Sequence, residues 1–271
     1  MKKTELQKEW RKTGQYLLPG MKPSFSEGRY DIYPAFKLED NQISEGFASL
    51  ARVVSKHRTV TLEGYAGVFY NEFREKIDEH LKALGLKTSW KNTSDFLKTP
   101  EIIEEMISPF MGGDDPLFGK RTELDIEDFF DMQVIRHSEP DKNADINFIT
   151  GPGASLAGCK GLLAYIDIPK NEIQFRSRAG AITNFGASAP ADPKLMYKRF
   201  YFVDWPVLNK HKQTILPDID LIIDGQRPGK PAGCARRGGV QGGDGRTADP
   251  QGACRGAAVR QAGRGEGHGD G

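Results

Sequence analysis

The fold of this chain is decided by Thr59-Val60-Thr61-Leu62-Glu63-Gly64-Tyr65-Ala66-Gly67. The first four residues are β-branched or apolar and predict a buried strand, and the glycines after Glu63 predict a sharp turn. An amphipathic helix follows, because apolar residues recur at helical spacing from Phe69 to Leu84 before Gly85. The stretch therefore predicts a strand, a glycine turn and a helix, the repeating unit of an α/β sheet.

A second strand and glycine turn covers residues 145–155. Elsewhere the patterns predict helices over residues 43–54, 100–108 and 124–136, a surface loop over 111–120, and strands over 162–168, 172–176, 199–205 and 219–223. The strands at 162–168 and 172–176 are expected to pair through the turn at Pro169. Together these elements predict an α/β fold with a mostly parallel sheet flanked by helices.

The composition changes abruptly after Pro228. Residues 229–271 contain 14 of the 31 glycines of the chain and no Leu, Ile, Met, Phe, Tyr or Trp. Such a segment cannot build a core, so we expect it to be a disordered and out-of-frame ending. The predicted domain organisation is an α/β domain over residues 1–228, with residues 1–40 as an extension packing on it.

Charge and cysteine content exclude several classes of protein. The segment after Pro228 has a net charge of about +3, which leaves about −2 for residues 1–228, and this argues against binding of nucleic acid. Cys159 is the single cysteine before Pro228, so neither a disulfide framework nor a thiolate zinc site is expected there. No apolar run reaches the length of a membrane span. The sequence predicts a soluble protein of the cytoplasm, without a membrane partner.

Two glycine-rich turns are candidate phosphate-binding loops, because both follow strands of a predicted parallel sheet. Gly64 and Gly67 stand in the first turn, which lacks the Gly-Lys-Ser/Thr ending of a P-loop. The second turn contains Gly151, Gly153 and Ser155, whose backbone N–H groups would suit an anion. In both cases the alternative is a tight or wide connection without a ligand.

Arg176 and Arg178 are candidate phosphate ligands as well. Two positions apart on a strand, they would lie on one face and hold a phosphate or carboxylate together. The alternative is that both are ordinary arginines of a sheet edge.

The carboxylates and histidines of the sequence are the candidates for general bases and metal ligands. Glu63, Asp204 and the Asp114-Asp115 pair are candidate general bases or magnesium ligands. The histidines before Pro228 are at least 23 residues apart, so a local zinc motif is missing and no metal site is expected in this chain.

Three segments resemble a known family: residues 28–34, residues 62–68 and residues 198–209. They are similar to the N-terminal region of bacterial class I mannose-6-phosphate isomerase-like proteins. The resemblance implies a degenerate P-loop-kinase-like domain that precedes a zinc-binding cupin domain, which converts mannose 6-phosphate to fructose 6-phosphate. Zinc would belong to the cupin only, and this chain alone would be inactive as an isomerase.

Three functions follow as hypotheses. The first is a phosphosugar- or nucleotide-binding-like domain of such an isomerase, truncated or frame-shifted after Pro228, whose partner would be the cupin domain. The second is a sugar or nucleoside phosphotransferase that uses a magnesium nucleotide. The third is a non-catalytic regulatory or docking module.

Overall fold

The computed structural model describes residues 9–15, 17, 43–115 and 117–235. Within them, one sheet contains β1 (Ile43–Glu45), β2 (Thr59–Gly64), β3 (Thr88–Asn92), β4 (Ile146–Thr150), β5 (Leu162–Asp167), β6 (Leu221–Asp224) and β7 (Ala232–Ala235). The strand order is β1-β7-β6-β5-β2-β4-β3. Strands β3, β4, β2, β5 and β6 are mutually parallel, whereas β7 runs antiparallel to both β1 and β6.

The helices connect these strands. They are α1 (Phe47–Val54), α2 (Tyr70–Ala83), α3 (Pro100–Ile107), α4 (Met132–Arg136), α5 (Lys170–Arg178), α6 (Pro193–Arg199) and α7 (Trp205–Ile215). A π-helical turn, Phe200–Asp204, joins α6 to α7. The predicted class, an α/β fold with a mostly parallel sheet flanked by helices, is confirmed. No helix in the described part of the chain has the length and apolar character needed to cross a bilayer.

The core lies around the central strands. All five residues of β4 are buried, and five of the six in β2 are buried, as expected for strands covered by helices on both faces. The apolar sides of α1 and α2 meet, and the rings of Phe47 and Phe73 make an edge contact at 5.3 Å. The spacing of apolar residues in residues 59–84 therefore predicts β2 and α2 correctly.

The direction in which successive strands are added to the sheet reverses at β2. The chain passes from β2 to β3 on one side and later returns beyond β2 to form β5 and β6 on the other side. In an open α/β sheet, ligands bind at such a switch point, beyond the carboxyl ends of the strands. The ends of β2 and β4 lie side by side there, since Leu62 pairs with Thr150.

Two predicted strands are wrong. Residues 172–176 belong to α5, and residues 199–205 pass through the end of α6, the π-helical turn and the start of α7. The reason is topological: β5 and β6 are parallel neighbours, so the chain between them must cross over rather than form a hairpin. The alternation of polar and apolar residues over residues 172–176 is only five residues long, so it fits the period of a strand as well as that of a helix.

Two predicted helices are shorter than expected. The helix predicted over residues 43–54 begins at Phe47, because residues 43–45 form β1 against β7. The helix predicted over residues 124–136 is a 3₁₀ turn, Ile126–Phe129, followed by α4. Asp131 separates them, because its carboxylate accepts hydrogen bonds from the N–H groups of Gln133 and Val134 and so starts a new helix.

The segment after Pro228 begins with ordered structure. Strand β7 lies inside residues 229–271, so the expected disorder does not hold for the first seven of them. The reason is that β7 needs no large side chains: Gly233 packs against Leu50, and the carbonyl of Pro231 accepts a hydrogen bond from Gly46 N–H at 2.8 Å. Residues 236–271 lie outside the described residues.

Part of the N-terminal segment contacts α5. Arg11 donates two hydrogen bonds to the carboxylate of Glu172, at 3.0 and 3.1 Å, and Lys12 N–H donates to the carbonyl of Phe175 at 2.9 Å. The rings of Trp10 and Phe69 make an edge contact, with their centroids 6.3 Å apart. Residues 28–34, one of the segments behind the family resemblance, lie outside the described residues.

Candidate functional site

Glu63 organises the carboxyl ends of β2 and β4. Its side chain is fully buried. One carboxylate oxygen accepts the N–H groups of Gly64 at 3.2 Å and Gly153 at 2.7 Å. The other accepts the N–H and hydroxyl groups of Ser155 at 2.9 and 3.0 Å, and lies 3.2 Å from Nε2 of His211. The candidate base therefore holds the candidate phosphate loop in place.

Ser155, His211 and Glu63 do not form a hydrolytic relay. Nε2 of His211 lies 3.1 Å from the Ser155 hydroxyl and 3.2 Å from the Glu63 carboxylate. In a relay, the two imidazole nitrogens separate the nucleophile from the carboxylate, whereas here one nitrogen faces both groups. The arrangement is a shared hydrogen-bond cluster.

The glycine loop 151–155 is occupied by a carboxylate of the protein itself. Gly151 and Gly153 have φ angles of +126° and +81°, a conformation that favours glycine. A Cβ on Gly153 would approach the ring of Phe130 to 2.6 Å. With Gly153 N–H and Ser155 N–H bound to Glu63, an external phosphate would have to displace that carboxylate first.

The turn with Gly64 and Gly67 leads directly into α2. The helix starts without a side-chain cap. Its first-turn N–H groups, at Tyr70 and Asn71, have no acceptor among the described residues. Such N–H groups, together with the helix dipole, favour an anion.

A cleft of about 530 Å³ opens at this turn. Its lining consists of residues 66–71, 92–94, 97, 98, 100, 181–188 and 190, together with Pro152. Lys98 is the one charged side chain among the described lining residues, and the other polar groups are neutral amides and hydroxyls. The cleft thus joins the start of α2 to the end of β3 and the loop between α5 and α6.

Two hydroxyl groups near the cleft, those of Tyr70 and Thr150, are buried and have no hydrogen-bond partner among the residues that the structure describes. Thr150 ends β4, and the Tyr70 hydroxyl lies 2.6 Å from the position that a Cβ on Gly64 would take. Burial, and then the charge of Glu63, raise the pKa of Tyr70 well above its usual value, so this hydroxyl stays protonated. Unpartnered buried hydroxyls are uncommon in native proteins and mark this edge of the sheet as a place for a polar ligand or water.

Arg176 and Arg178 do not act together. Because residues 170–178 are helical, positions two apart point in different directions rather than to one face. Arg176 is fully buried and donates to the carbonyls of Gly67, Gly225 and Gln226, at 2.8, 3.0 and 3.1 Å. Burial lowers its pKa to about 10. It therefore connects the α2 turn to the end of β6, while Arg178 contacts the Phe175 ring.

Asp204 is a structural anchor in the described fold. Its buried carboxylate accepts hydrogen bonds from the Asn184 side chain at 2.7 Å and from Phe185 N–H at 3.2 Å, and it lies 3.5 Å from Nε of Arg199. Burial raises the pKa of Asp204, and the Arg199 charge opposes the rise. These contacts fix the 181–190 wall of the cleft.

The Asp114-Asp115 pair lies in the predicted surface loop. The Asp115 carboxylate accepts the N–H groups of Leu117 and Phe118, at 2.8 and 2.7 Å, and these bonds lower its pKa. It therefore stabilises its own turn. No group of three or more His, Cys, Asp or Glu side chains suited to a metal ion occurs in the described part of the chain.

Sequence reasoning missed His211 and Lys98. The spacing of the histidines tests His211 only as a metal ligand, whereas its contact with Glu63 joins residues 148 positions apart in the sequence. Lys98 follows β3, and only the prediction that β3 lies next to β4 would have placed Lys98 at the cleft.

A family model fits residues 46–238, most of the chain, under the description Domain of unknown function (DUF8485). The chain belongs to this family. No curated protein matches its sequence. The match to this DUF8485 member extends ten residues past Pro228 and includes β7.

Two solved structures with partial similarity to this DUF8485 member are described as kinases. One is the putative fructose transport system kinase from Silicibacter sp. TM1040, with 15% identity and a TM-score of 0.35, over 48% of this chain and 78% of that one. Another is a possible uridine kinase from Bacillus stearothermophilus, with 9% identity and a TM-score of 0.42, over 65% and 96%. Scores this low assign no function.

The resemblance to class I mannose-6-phosphate isomerase-like proteins is wrong as an identification. The matching family is DUF8485, and neither the family match nor these solved structures include an isomerase. The isomerase activity and the cupin partner have no support. Of the three segments behind the resemblance, residues 28–34 lie outside the described residues, and residues 198–209 contain the predicted strand 199–205, which is helical.

Proposed function

We propose that this chain binds a phosphorylated small molecule, a sugar phosphate or a nucleotide, in the cleft before α2. The observation that carries the proposal is the uncapped start of a 14-residue helix on the lining of a 530 Å³ cleft. N–H groups at this position are suited to phosphate oxygens, and the helix dipole favours the negative charge.

The remaining lining supports the same class of ligand. Lys98 supplies one positive charge, and Asn92, Thr93 and Ser94 supply neutral donors and acceptors. Neutral amides and hydroxyls suit the hydroxyl groups of a sugar or ribose, which both donate and accept hydrogen bonds. The unpartnered hydroxyls of Tyr70 and Thr150 lie at the same edge of the sheet.

Phosphoryl transfer is the second candidate function. It is favoured by the glycine turn 64–67, which lies between a central parallel strand and a helix, where phosphate-binding loops of α/β proteins occur. Lys98 would be the cation that stabilises the transferred charge. No carboxylate is found among the described lining residues, and Glu63 is fully committed, so a magnesium ion would be held mainly by the nucleotide.

Thermal unfolding with a panel of ligands tests binding. The panel contains ATP, UMP, fructose 6-phosphate and mannose 6-phosphate, each with and without magnesium. A ligand at a hundred times its dissociation constant stabilises the folded chain by about 2.7 kcal/mol. If no member of the panel raises the melting temperature, the proposal is wrong. ADP release from ATP in the presence of a bound sugar or nucleoside separates transfer from binding.

The substitution Asn71→Asp tests whether the phosphate binds at the start of α2. The exposed Asn71 lies in the first turn of α2, so a carboxylate there should stabilise the free protein by about 0.3–1 kcal/mol. The same charge should repel a phosphate and remove the ligand-dependent shift. Asn143→Asp, an identical change in an exposed turn outside the cleft lining, is the control and should keep the shift.

A further inference from the structure

Two arginines lie at one buried carboxylate close to the glycine turn of the cleft. Glu172, in α5, is fully buried, and its two oxygens accept hydrogen bonds from Arg11 at 3.0 and 3.1 Å. Nε of Arg176 lies 3.8 Å from the same carboxylate, which is beyond hydrogen-bond distance. This Nε has no hydrogen-bond partner among the described residues, whereas the terminal nitrogens of Arg176 bind backbone carbonyls. A carboxylate within reach of Arg176 is thus already bound by Arg11.

The bond from Arg176 to Gly67 connects this pair of arginines to the cleft. Nη1 of Arg176 donates to the carbonyl of Gly67 at 2.8 Å. Gly67 has a φ angle of +87°, and both Gly67 and Phe69 belong to the lining of the cleft. Phe69 is the residue directly before α2. The bond therefore fixes the turn that sets how the start of α2 faces the cleft.

The N-terminal segment supplies a second contact with the same turn. The guanidinium of Arg176 lies 4.2 Å from the ring centroid of Phe69 and 5.5 Å from that of Trp10. Cation–π contacts of this kind restrain a side chain that would otherwise sample several rotamers. Trp10 and Arg11 lie outside the match to the family, which begins at residue 46. A segment beyond the matched domain therefore contacts the residues that hold the glycine turn.

We propose that Arg11 is a positioning residue for the cleft and acts through Glu172 and Arg176. A guanidinium binds a carboxylate more strongly than it binds a neutral carbonyl. Without Arg11, the buried charge of Glu172 would lack its pair, so Arg176 would turn toward it and leave the carbonyl of Gly67. The released turn would no longer hold the start of α2 in one orientation, and ligand affinity would fall. The effect on affinity rests on the proposed function, whereas the effect on the turn does not.

Amide exchange in the turn tests the first step without any ligand. Tyr65 N–H donates to the carbonyl of Ile166 at 3.2 Å, and Val68 N–H donates to the carbonyl of Tyr65 at 3.4 Å. Both amides can be followed by NMR. In Arg11→Met, we expect them to exchange about tenfold faster than in the unchanged chain, the effect of losing one hydrogen bond to a charged group. Arg178→Met, at an exposed position of α5, is the matched control and should leave both rates unchanged.

A double variant, Arg11→Met with Glu172→Met, separates competition for Arg176 from a simple loss of contact. Removing the carboxylate as well as Arg11 leaves nothing at position 172 that draws Arg176 away from the carbonyl of Gly67. Exchange of the two turn amides should therefore return close to the rate of the unchanged chain. If Arg11 acted only by attaching the N-terminal segment to α5, the double variant would exchange as fast as Arg11→Met or faster.

Calorimetric titration with ATP, UMP, fructose 6-phosphate and mannose 6-phosphate tests the second step. For each compound that binds the unchanged chain, affinity should fall about tenfold in Arg11→Met and recover in the double variant. Two results would overturn the proposal: exchange and affinity in Arg11→Met equal to those of the unchanged chain, or a double variant that stays as fast as Arg11→Met. If none of the four compounds binds the unchanged chain, the proposed function is wrong, and the exchange rates alone decide whether Arg11 holds the turn.

Discussion

At the scale of single residues, the molecule places Glu63 where an anionic ligand was expected. The sequence predicts separately that Glu63 ends a strand and that Gly153 and Ser155 offer N–H groups to an anion. The structure joins the two predictions, because the carboxylate accepts both N–H groups. Sequence spacing could not show this, since the partners are 90 and 92 positions apart.

Glu63→Gln should destabilise the fold strongly. An amide replaces one acceptor oxygen by a donor, so buried N–H or hydroxyl groups of the 151–155 loop lose their partner. We expect a loss of about 3 kcal/mol in the free energy of unfolding, measured by urea titration with circular dichroism. Glu127→Gln, at an exposed position, is the control. A loss below about 1 kcal/mol would show that the loop holds without this carboxylate.

Asp204→Asn should change how stability depends on pH. Burial raises the pKa of Asp204 above its ordinary value of 3.8, so folding disfavours its ionised form. Its contribution to stability is therefore greatest below 3.8 and decreases as the pH rises toward the folded-state pKa.

The melting temperature of the unchanged chain minus that of Asp204→Asn should decrease from about pH 4 to pH 7. Asp218→Asn, at an exposed position, should show no such trend. A difference that grows with pH would mean that Arg199 outweighs burial.

At the scale of elements, the sequence predicts a helix or strand correctly where the spacing of apolar residues fits only one of the two and a residue typical of an element boundary is present. The helix start at Pro100 is predicted correctly, and so are β2, β4 and α2. Residues 172–176 and 199–205 fail, because their short alternating or aromatic patterns fit a strand, while the parallel pairing of β5 with β6 requires helices between them. The predicted pairing of Arg176 with Arg178 depends on the strand over residues 172–176 and fails with it.

Strand β7 gives a test at this scale. It pairs with both β6 and β1, so a chain ending at Pro228 loses β7 and leaves β1 unpaired. We expect its melting temperature to fall by roughly 5 °C or more, measured by calorimetry. A chain ending at Gly238 should match the full-length chain. Equal melting of the two shortened chains would show that β7 adds no stability.

At the scale of the whole molecule, the residue patterns in the sequence do not predict the order of the strands in the sheet. They predict a mostly parallel sheet, but not that β4 lies between β2 and β3 or that β5 lies on the far side of β2. Side-chain periodicity shows which face is buried and says nothing about which strand is the neighbour. The cleft depends on this order, since its walls come from segments far apart in the chain.

Amide hydrogen exchange should be slower in the central strands of the sheet than in the strands at its β1–β7 edge. Amides of β2, β4 and β5, at the centre of the sheet, should exchange only on global unfolding, whereas β1 and β7 should exchange through local opening. Mass spectrometry of peptic peptides measures both. Similar protection of β7 and β2 would mean that the sheet opens as one unit.

Glu63 has one more consequence. A carboxylate held within the 151–155 loop acts as a tethered competitor: any free anion must outcompete a group that is always present at high effective concentration. Simple ions should therefore bind that loop less well than they would bind the same N–H groups without Glu63. The selectivity for anions at this edge of the sheet is therefore set in part by the protein's own carboxylate.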